Sequence, residues 1–381
     1  MRRLQSIVWK AIVVGSFAVA ASPAGAVGSP SVHQTEQTAQ QAMEQAVLVS
    51  KSGVEQRLTT AIQAHLSTVK FKYEGSVKDF ESLLDEALMT ALDNAPYMRY
   101  IMDRYHYSWR GNSAAVNVEV TFTYRESPEQ TAYVDDRVKD IIGQIIVPGM
   151  NSHEKVKAIH DWVVQDLKYD EKLKNYTAYS GLVTGEAVCQ GYTLLTYKLL
   201  EKAGIRSLIA EGTAGDQAHA WNLVNLDGHW YHLDTTWDDP VQAASDNISY
   251  DYYLLSDAEM SKDHSWTKSY PAADQTYRSA LDELKLSDSA KSPFYEKLEQ
   301  ELDYTLYNAG QAVSGSSGLM AKAREALKQG KSTATVRYSG QQSELINDLG
   351  ELYGLNIRNI TFSTRPLEGT DDLKVRIEWE N

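Results

Sequence analysis

The chain has 381 residues, with 37 Lys and Arg against 51 Asp and Glu, a formal net charge of −14 and a single cysteine, Cys189. That length accommodates two or three domains of ordinary size and a large core without disulfides. The acidic balance argues against nucleic acid and anionic membrane surfaces as partners, because both reward positive charge.

The N-terminus carries Arg2, Arg3 and Lys10, then an apolar run from Ala11 to Ala21 interrupted only by Gly15 and Ser16, then the small residues Ala24-Gly25-Ala26. This is the pattern of a signal peptide over residues 1–26, too short in its apolar part to span a membrane comfortably. It predicts a chain that is secreted or held at the cell surface, with no stable membrane insertion after cleavage. The processed chain would carry 34 basic against 51 acidic residues, a net charge of −17.

Residues 27–68 read as a polar linker fading into a helix. Over 69–126 the pattern predicts a β-α-β-β module. Lys70–Tyr73 alternates as a strand, Ser76 opens a helix with Phe80, Leu83, Leu84, Ala87 and Leu88 on one face, and strands follow at Arg104–Trp109 and Ala115–Tyr124. A central domain covers 127–270. Ser127, Pro128 and Gln130 form a strong helix start, and Asn151 with Glu154 forms the next. An apolar helix beginning beside Cys189 runs to Gly204, a suitable C-terminal cap. Residues 271–318 read as a helical connector whose end, Gln311–Gly318, has the Gly and Ser content of a linker. The segment 319–381 repeats the β-α-β-β order, with Tyr73-Glu74-Gly75 and Tyr338-Ser339-Gly340 at the same strand-to-helix junction.

A lone cysteine in an exported chain has no intramolecular disulfide partner, so its presence needs another reason. Register supplies one. Asp227-Gly228 suits a two-residue hairpin turn, which sets Leu226 against His229 and makes His219 and Asp234 diagonal neighbours on one face. Diagonal positions lie about 7–8 Å apart by backbone, within reach of an imidazole and a carboxylate. A thiol at a helix N-terminus beside that pair has what a nucleophile needs: a stabilised thiolate, a base and an orienting acid.

The motifs Val188-Cys189-Gln190-Gly191-Tyr192, His219-Ala220-Trp221-Asn222 and Asp234-Thr235-Thr236-Trp237-Asp238 resemble those of the transglutaminase-like superfamily of papain-related thiol enzymes. Ala158-Ile159-His160-Asp161-Trp162 and Tyr169-Asp170 are similar to bacterial secreted members. The resemblance covers about residues 150–266. It implies an α+β fold, with the nucleophile helix packed on an antiparallel sheet in a catalytic domain over 127–270, flanked by the β-α-β-β modules. It also implies Cys189 as nucleophile, His219 as general base and acid, and Asp234 as the orienting carboxylate. Animal transglutaminases use a tryptophan upstream of the cysteine to stabilise the oxyanion. Here only Tyr176 and Tyr179 stand between Asp170 and Cys189. The candidate oxyanion donors become the Cys189 N–H with a Tyr179 hydroxyl or Gln190, and Trp221 and Trp237 are candidate cleft walls.

His160 lies on the apolar stripe with Ile159 and Val163 and reads as a packed core histidine. His229 and His232 differ by an odd number along one strand and point to opposite faces, which argues against a metal site with His219 and Asp234. No metal and no cofactor are expected. Three functions stay open: a thiol hydrolase of protein, peptide or cell-wall peptide amides, a protein-glutamine transglutaminase, and a noncatalytic surface- or wall-binding protein.

Overall fold

The computed structural model describes residues 4–8, 47–239 and 248–380. Apart from residues 4–8, the expected leader (1–26) lies outside these residues, as does 27–46. The chain forms two compact units, one of residues 1–254 with 263–272, the other of residues 255–262 with 273–381. Among the described residues, no helix is long and apolar enough to cross a membrane.

The first unit opens with β1 (Leu4–Val8), β2 (Val47–Leu48), α1 (Lys51–Gln63), β3 (Thr68–Tyr73), α2 (Phe80–Asp93), α3 (Pro96–Ile101), β4 (Met102–Gly111) and β5 (Val116–Tyr124). These strands make one sheet in the order β1-β4-β5-β3-β2. Alternation buries Val69, Phe71 and Tyr73 on the helix-covered face, where Phe80 of α2 packs on Tyr73 and Trp109. The module therefore begins at Val47 rather than Val69, because β2 pairs in parallel with β3 and α1 buries Val54, Leu58 and Ile62. The helix expected from Ser76 starts only at Phe80, since Asp79 adopts a left-handed backbone (φ 62°) that cannot continue a right-handed helix.

The central region follows with α4 (Pro128–Ile145), α5 (Ser152–Asp166), β6 (Lys168–Tyr169), α6 (Ala178–Thr184), β7 (Glu186–Ala187), α7 (Cys189–Lys202), β8 (Ser207–Ala214), β9 (Gln217–Leu226) and β10 (His229–Leu233). Capping boxes close the starts of α4 at Ser127 and Gln130 and of α5 at Asn151 and Glu154. Asp227 (φ 51°) and Gly228 (φ 93°) make the turn, and the hairpin register sets Leu226 against His229. The sheet order is β10-β9-β8-β11, its last strand being β11 (His264–Ser265), reached after α8 (Asp257–Met260) of the second unit. Helix α7 packs on β9. The Thr193 hydroxyl sits 2.8 Å from the carbonyls of both Cys189 and Ala220, and the Asn222 amide donates to the Thr193 carbonyl. The fold is α+β, a helix on an antiparallel sheet.

The second unit continues with α9 (Tyr277–Ser287), α10 (Ser292–Glu301), β12 (Ala312–Val313), α11 (Gly315–Lys328), β13 (Thr333–Tyr338), α12 (Gln342–Gly350), β14 (Arg358–Pro366) and β15 (Leu373–Glu380). The sheet order β12-β13-β15-β14 reproduces β2-β3-β5-β4 of the first unit. Leu48 pairs with Tyr73 as Val313 pairs with Tyr338, and the N–H groups of Glu74 and Ser339 each donate to the edge strand at 2.8 Å. Gly75 and Gly340 each lie against the ring of the preceding tyrosine, Tyr73 or Tyr338. Matching positions keep one spacing, 48 to 313, 73 to 338 and 75 to 340, so the two modules share one plan from edge strand onward.

The stretch Gln311–Gly318 is not a linker. It holds β12 and the first turn of α11, and its small residues serve close packing: a β-carbon on Gly318 would come within 2.8 Å of the Val313 β-carbon.

Candidate active site

Cys189 is the first residue of α7, with Val188 as its N-cap, and its side chain is buried. The helix start is braced from the 170–177 loop. Asp170 accepts the backbone N–H groups of Lys172, Lys174 and Asn175, and the Asn175 carbonyl accepts the Val188 N–H at 2.9 Å. Burial would raise the Asp170 carboxyl, but those three amides hold it below its usual range. Gly191 serves packing. A β-carbon there would stand 2.8 Å from the Ala187 β-carbon and 3.2 Å from the Thr177 carbonyl, so the glycine lets this loop close on the helix.

His219 lies in β9 opposite Gly212 of β8. The ladder of β9 with β10 ends at Leu233 and Asn222, so Asp234 stands just beyond it. The diagonal relation still delivers the contact: His219 Nε2 donates to Asp234 Oδ2 at 2.6 Å. With Nε2 committed, Nδ1 is the nitrogen left to face the thiol, and Cys189 is near enough to act on the ring's titration. Burial would lower the His219 pKa. The Asp234 carboxylate outweighs it and Cys189 adds to the effect, so the imidazole is pushed up to about 10. Burial would likewise raise the Asp234 carboxyl, but His219 and then His264 hold it far below the usual carboxylate range. Its second oxygen, Oδ1, accepts the N–H groups of Thr236 and Trp237 at 3.0 and 3.2 Å.

The other candidates land differently. Gln190 is drawn away, its amide donating to the Tyr100 carbonyl at 2.6 Å, which leaves its side chain tied to the N-terminal module rather than to an oxyanion. Tyr179 packs edge-on against Tyr133, ring centroids 5.5 Å apart, because its N–H is anchored on the buried Glu126 carboxylate. Burial raises the Tyr169 and Tyr176 phenols, and Cys189 adds to the effect on both. Trp221 is only 1% exposed and stacks on His219 at 5.9 Å while donating to His232 Nδ1, so it packs behind that imidazole rather than walling an open cleft. Trp237 is partly exposed, its ring 6.1 Å from His219.

His160 is fully buried between Asp161 and Asp238, at 3.2 and 2.9 Å. His229, the first residue of its strand, is exposed beside the turn. His232 is buried against Trp221 and Trp266.

Sequence reading missed His264, which contacts Asp234 Oδ2 at 3.1 Å. Its strand is two residues long, too short to leave a periodic pattern; the only sequence signal is its place between Asp263 and Trp266. The ligand atoms of His219, Asp234 and His264 lie within 4.8 Å of one another, the one such trio among the described residues. A tetrahedral zinc with bonds of about 2.0–2.1 Å needs ligand atoms spaced about 3.3 Å apart. The 2.6 Å contact is a hydrogen bond and would have to open to admit an ion.

A profile of the transglutaminase-like superfamily matches residues 139–235. Kyphoscoliosis peptidase of Mus musculus is 23% identical over a stretch covering 35% of this chain and 23% of that protein. The Homo sapiens protein of the same name is 26% identical over 26% of this chain and 18% of its own length. The chain thus spans less than a quarter of either relative. A crystal structure described as that of a TGase aligns with a TM-score of 0.28 and 13% identity, over 46% of this chain and 53% of that one. The segment that carries Cys189, His219 and Asp234 in that order is thus the part of the chain that is similar to the transglutaminase-like superfamily.

Proposed function

We propose that the protein is an exported thiol enzyme that cleaves amide bonds of proteins or peptides through a Cys189 thioester. The observation that carries this reading is the buried 2.6 Å contact of His219 with Asp234, beside a thiol at a helix start that acts on the same imidazole. Export rests on the leader-like residues 1–26, and cell-wall peptides belong among the substrate classes to be tried.

In this reading the Cys189 thiolate attacks the amide carbonyl, and the oxyanion meets the backbone N–H groups at the start of α7. His219, protonated and held by Asp234, gives its proton to the departing amine as the C–N bond breaks. The neutral imidazole then takes a proton from water, whose oxygen attacks the thioester and releases acid and thiol. Hydrolysis is favoured over transfer to an amine because Trp221 is buried beneath His219, leaving Trp237 alone of the two tryptophans to line an acceptor path.

The test incubates purified protein, wild type and Cys189→Ala, with a glutamine-containing polypeptide and a labelled primary amine. Cys189-dependent cleavage or deamidation with little amine incorporated supports the hydrolase. Efficient Cys189-dependent incorporation makes it a transglutaminase. A thiol that reacts with alkylators no faster than in the unfolded chain points to a noncatalytic binding protein.

A further inference from the structure

The Asp234 carboxylate is held by more than the imidazole it serves. Oδ1 is pinned by two backbone N–H groups, and Oδ2 is shared between His219 at 2.6 Å and His264 at 3.1 Å. His264 is 2% exposed and fixed from behind, with Nδ1 2.6 Å from Asp263 Oδ1. The other Asp263 oxygen accepts the Tyr252 hydroxyl at 2.6 Å, and the Tyr252 carbonyl accepts the Asp234 N–H at 3.1 Å. The hydrogen bonds thus close a ring through Asp234, His264, Asp263 and Tyr252. Trp237 and Trp221 pack on the His264 ring at 4.7 and 5.3 Å, leaving it little freedom to turn.

We propose that His264 is a positioning residue, which with Asp263 and Tyr252 fixes the Asp234 oxygen on which His219 depends. A carboxylate pinned through Oδ1 alone can still swing Oδ2 about that anchor, and His264 removes this motion. The role rests on the thiol-enzyme reading for its catalytic meaning, but not for its geometry. Cys189, Asp234 and His264 face His219, and His232 lies across Trp221; these are the titratable groups around the ring.

The test follows the His219 ring resonances through a pH titration by NMR, in wild type and His264→Phe. In parallel it measures Cys189 alkylation in wild type, His264→Phe, Asp234→Asn and the double variant. We expect His264→Phe to lower the His219 midpoint by about one unit, a tenfold loss in proton affinity. It should slow alkylation about tenfold alone and add nothing in the Asp234→Asn background, as coupled residues do. His264→Gln, which keeps a donor for Asp234, should recover most of both effects. If His264→Phe does not fold, Asp263→Ala, at an exposed position behind the ring, should move the midpoint the same way by less. A midpoint unchanged or raised, effects that multiply in the double variant, or a glutamine no better than phenylalanine overturns the proposal. A midpoint that falls while wild-type Cys189 reacts like an unfolded thiol supports the positioning role and sinks the enzyme reading instead.

Discussion

Gly212 lies so close to the β11 strand that a β-carbon on it would stand 1.8 Å from the Ser265 carbonyl oxygen. The same glycine is the ladder partner of His219. Only a residue without a side chain lets β11 approach β8 here and bring His264 to Asp234. Gly212→Ala should therefore lower stability by about 1–3 kcal/mol, the usual cost of overpacking, and slow Cys189 alkylation as well. Gly191→Ala should cost a similar amount through the 175–177 loop. Thermal unfolding followed by circular dichroism checks both, and a Tm within 1 °C of wild type for either would remove the packing argument, since about 1 kcal/mol moves Tm by several degrees.

Cys189 should react with iodoacetamide near neutral pH far faster in the folded protein than in the unfolded chain. His219→Ala should slow the reaction strongly. Asp234→Ala should slow it less, because the base remains while its orientation is lost. Stopped-flow alkylation of the folded protein against its urea-unfolded form measures this.

The His219 proton links stability to pH. Its folded value, about 10, lies above the ordinary imidazole value of about 6.5. The stabilisation is therefore fully present below about 6.5 and lost as pH rises toward 10. Asp234 acts in the opposite sense: its contribution is present above the ordinary value of about 3.9 and lost as pH falls below it. Urea midpoints for wild type and His219→Gln should converge between pH 7 and pH 10. A difference that stays constant over that window would contradict the assignment.

Thr193→Val keeps the shape of the side chain but removes the hydroxyl between the Cys189 and Ala220 carbonyls. Loss of about 1–2 kcal/mol in urea unfolding is expected for this buried tie between helix and sheet. A neutral effect would mean that α7 is held on β9 by apolar contact alone.

The other histidines should separate by burial. His160→Gln should destabilise by about 1–3 kcal/mol through the Asp161 and Asp238 contacts yet keep the reactive thiol. His229→Gln, at an exposed strand end, should change stability by no more than about 0.5 kcal/mol. Alkylation rates beside unfolding curves test both, and a His160→Gln protein that folds but loses thiol reactivity would move that histidine into the site.

Local chemistry was readable in the sequence because its determinants sit within a few residues of one another. The capping residues Ser127 and Asn151 place two helix starts, Asp227-Gly228 sets the hairpin register, and that register brings His219 to Asp234. The order of strands and helix in the two flanking modules was visible for the same reason. What needed long-range contact was not. Gln190 turned toward Tyr100, ninety positions away, and Trp221 became a buried support for His219. The edge strands β2 and β12 and the strand holding His264 are two residues long, so alternation cannot announce them and only pairing with a distant strand makes them. The sequence alone determines the meeting of His219 with Asp234, because a hairpin is a local object; only the tertiary structure decides what else reaches Asp234, because His264 arrives from thirty residues further along on a strand that exists only where Gly212 lets it in.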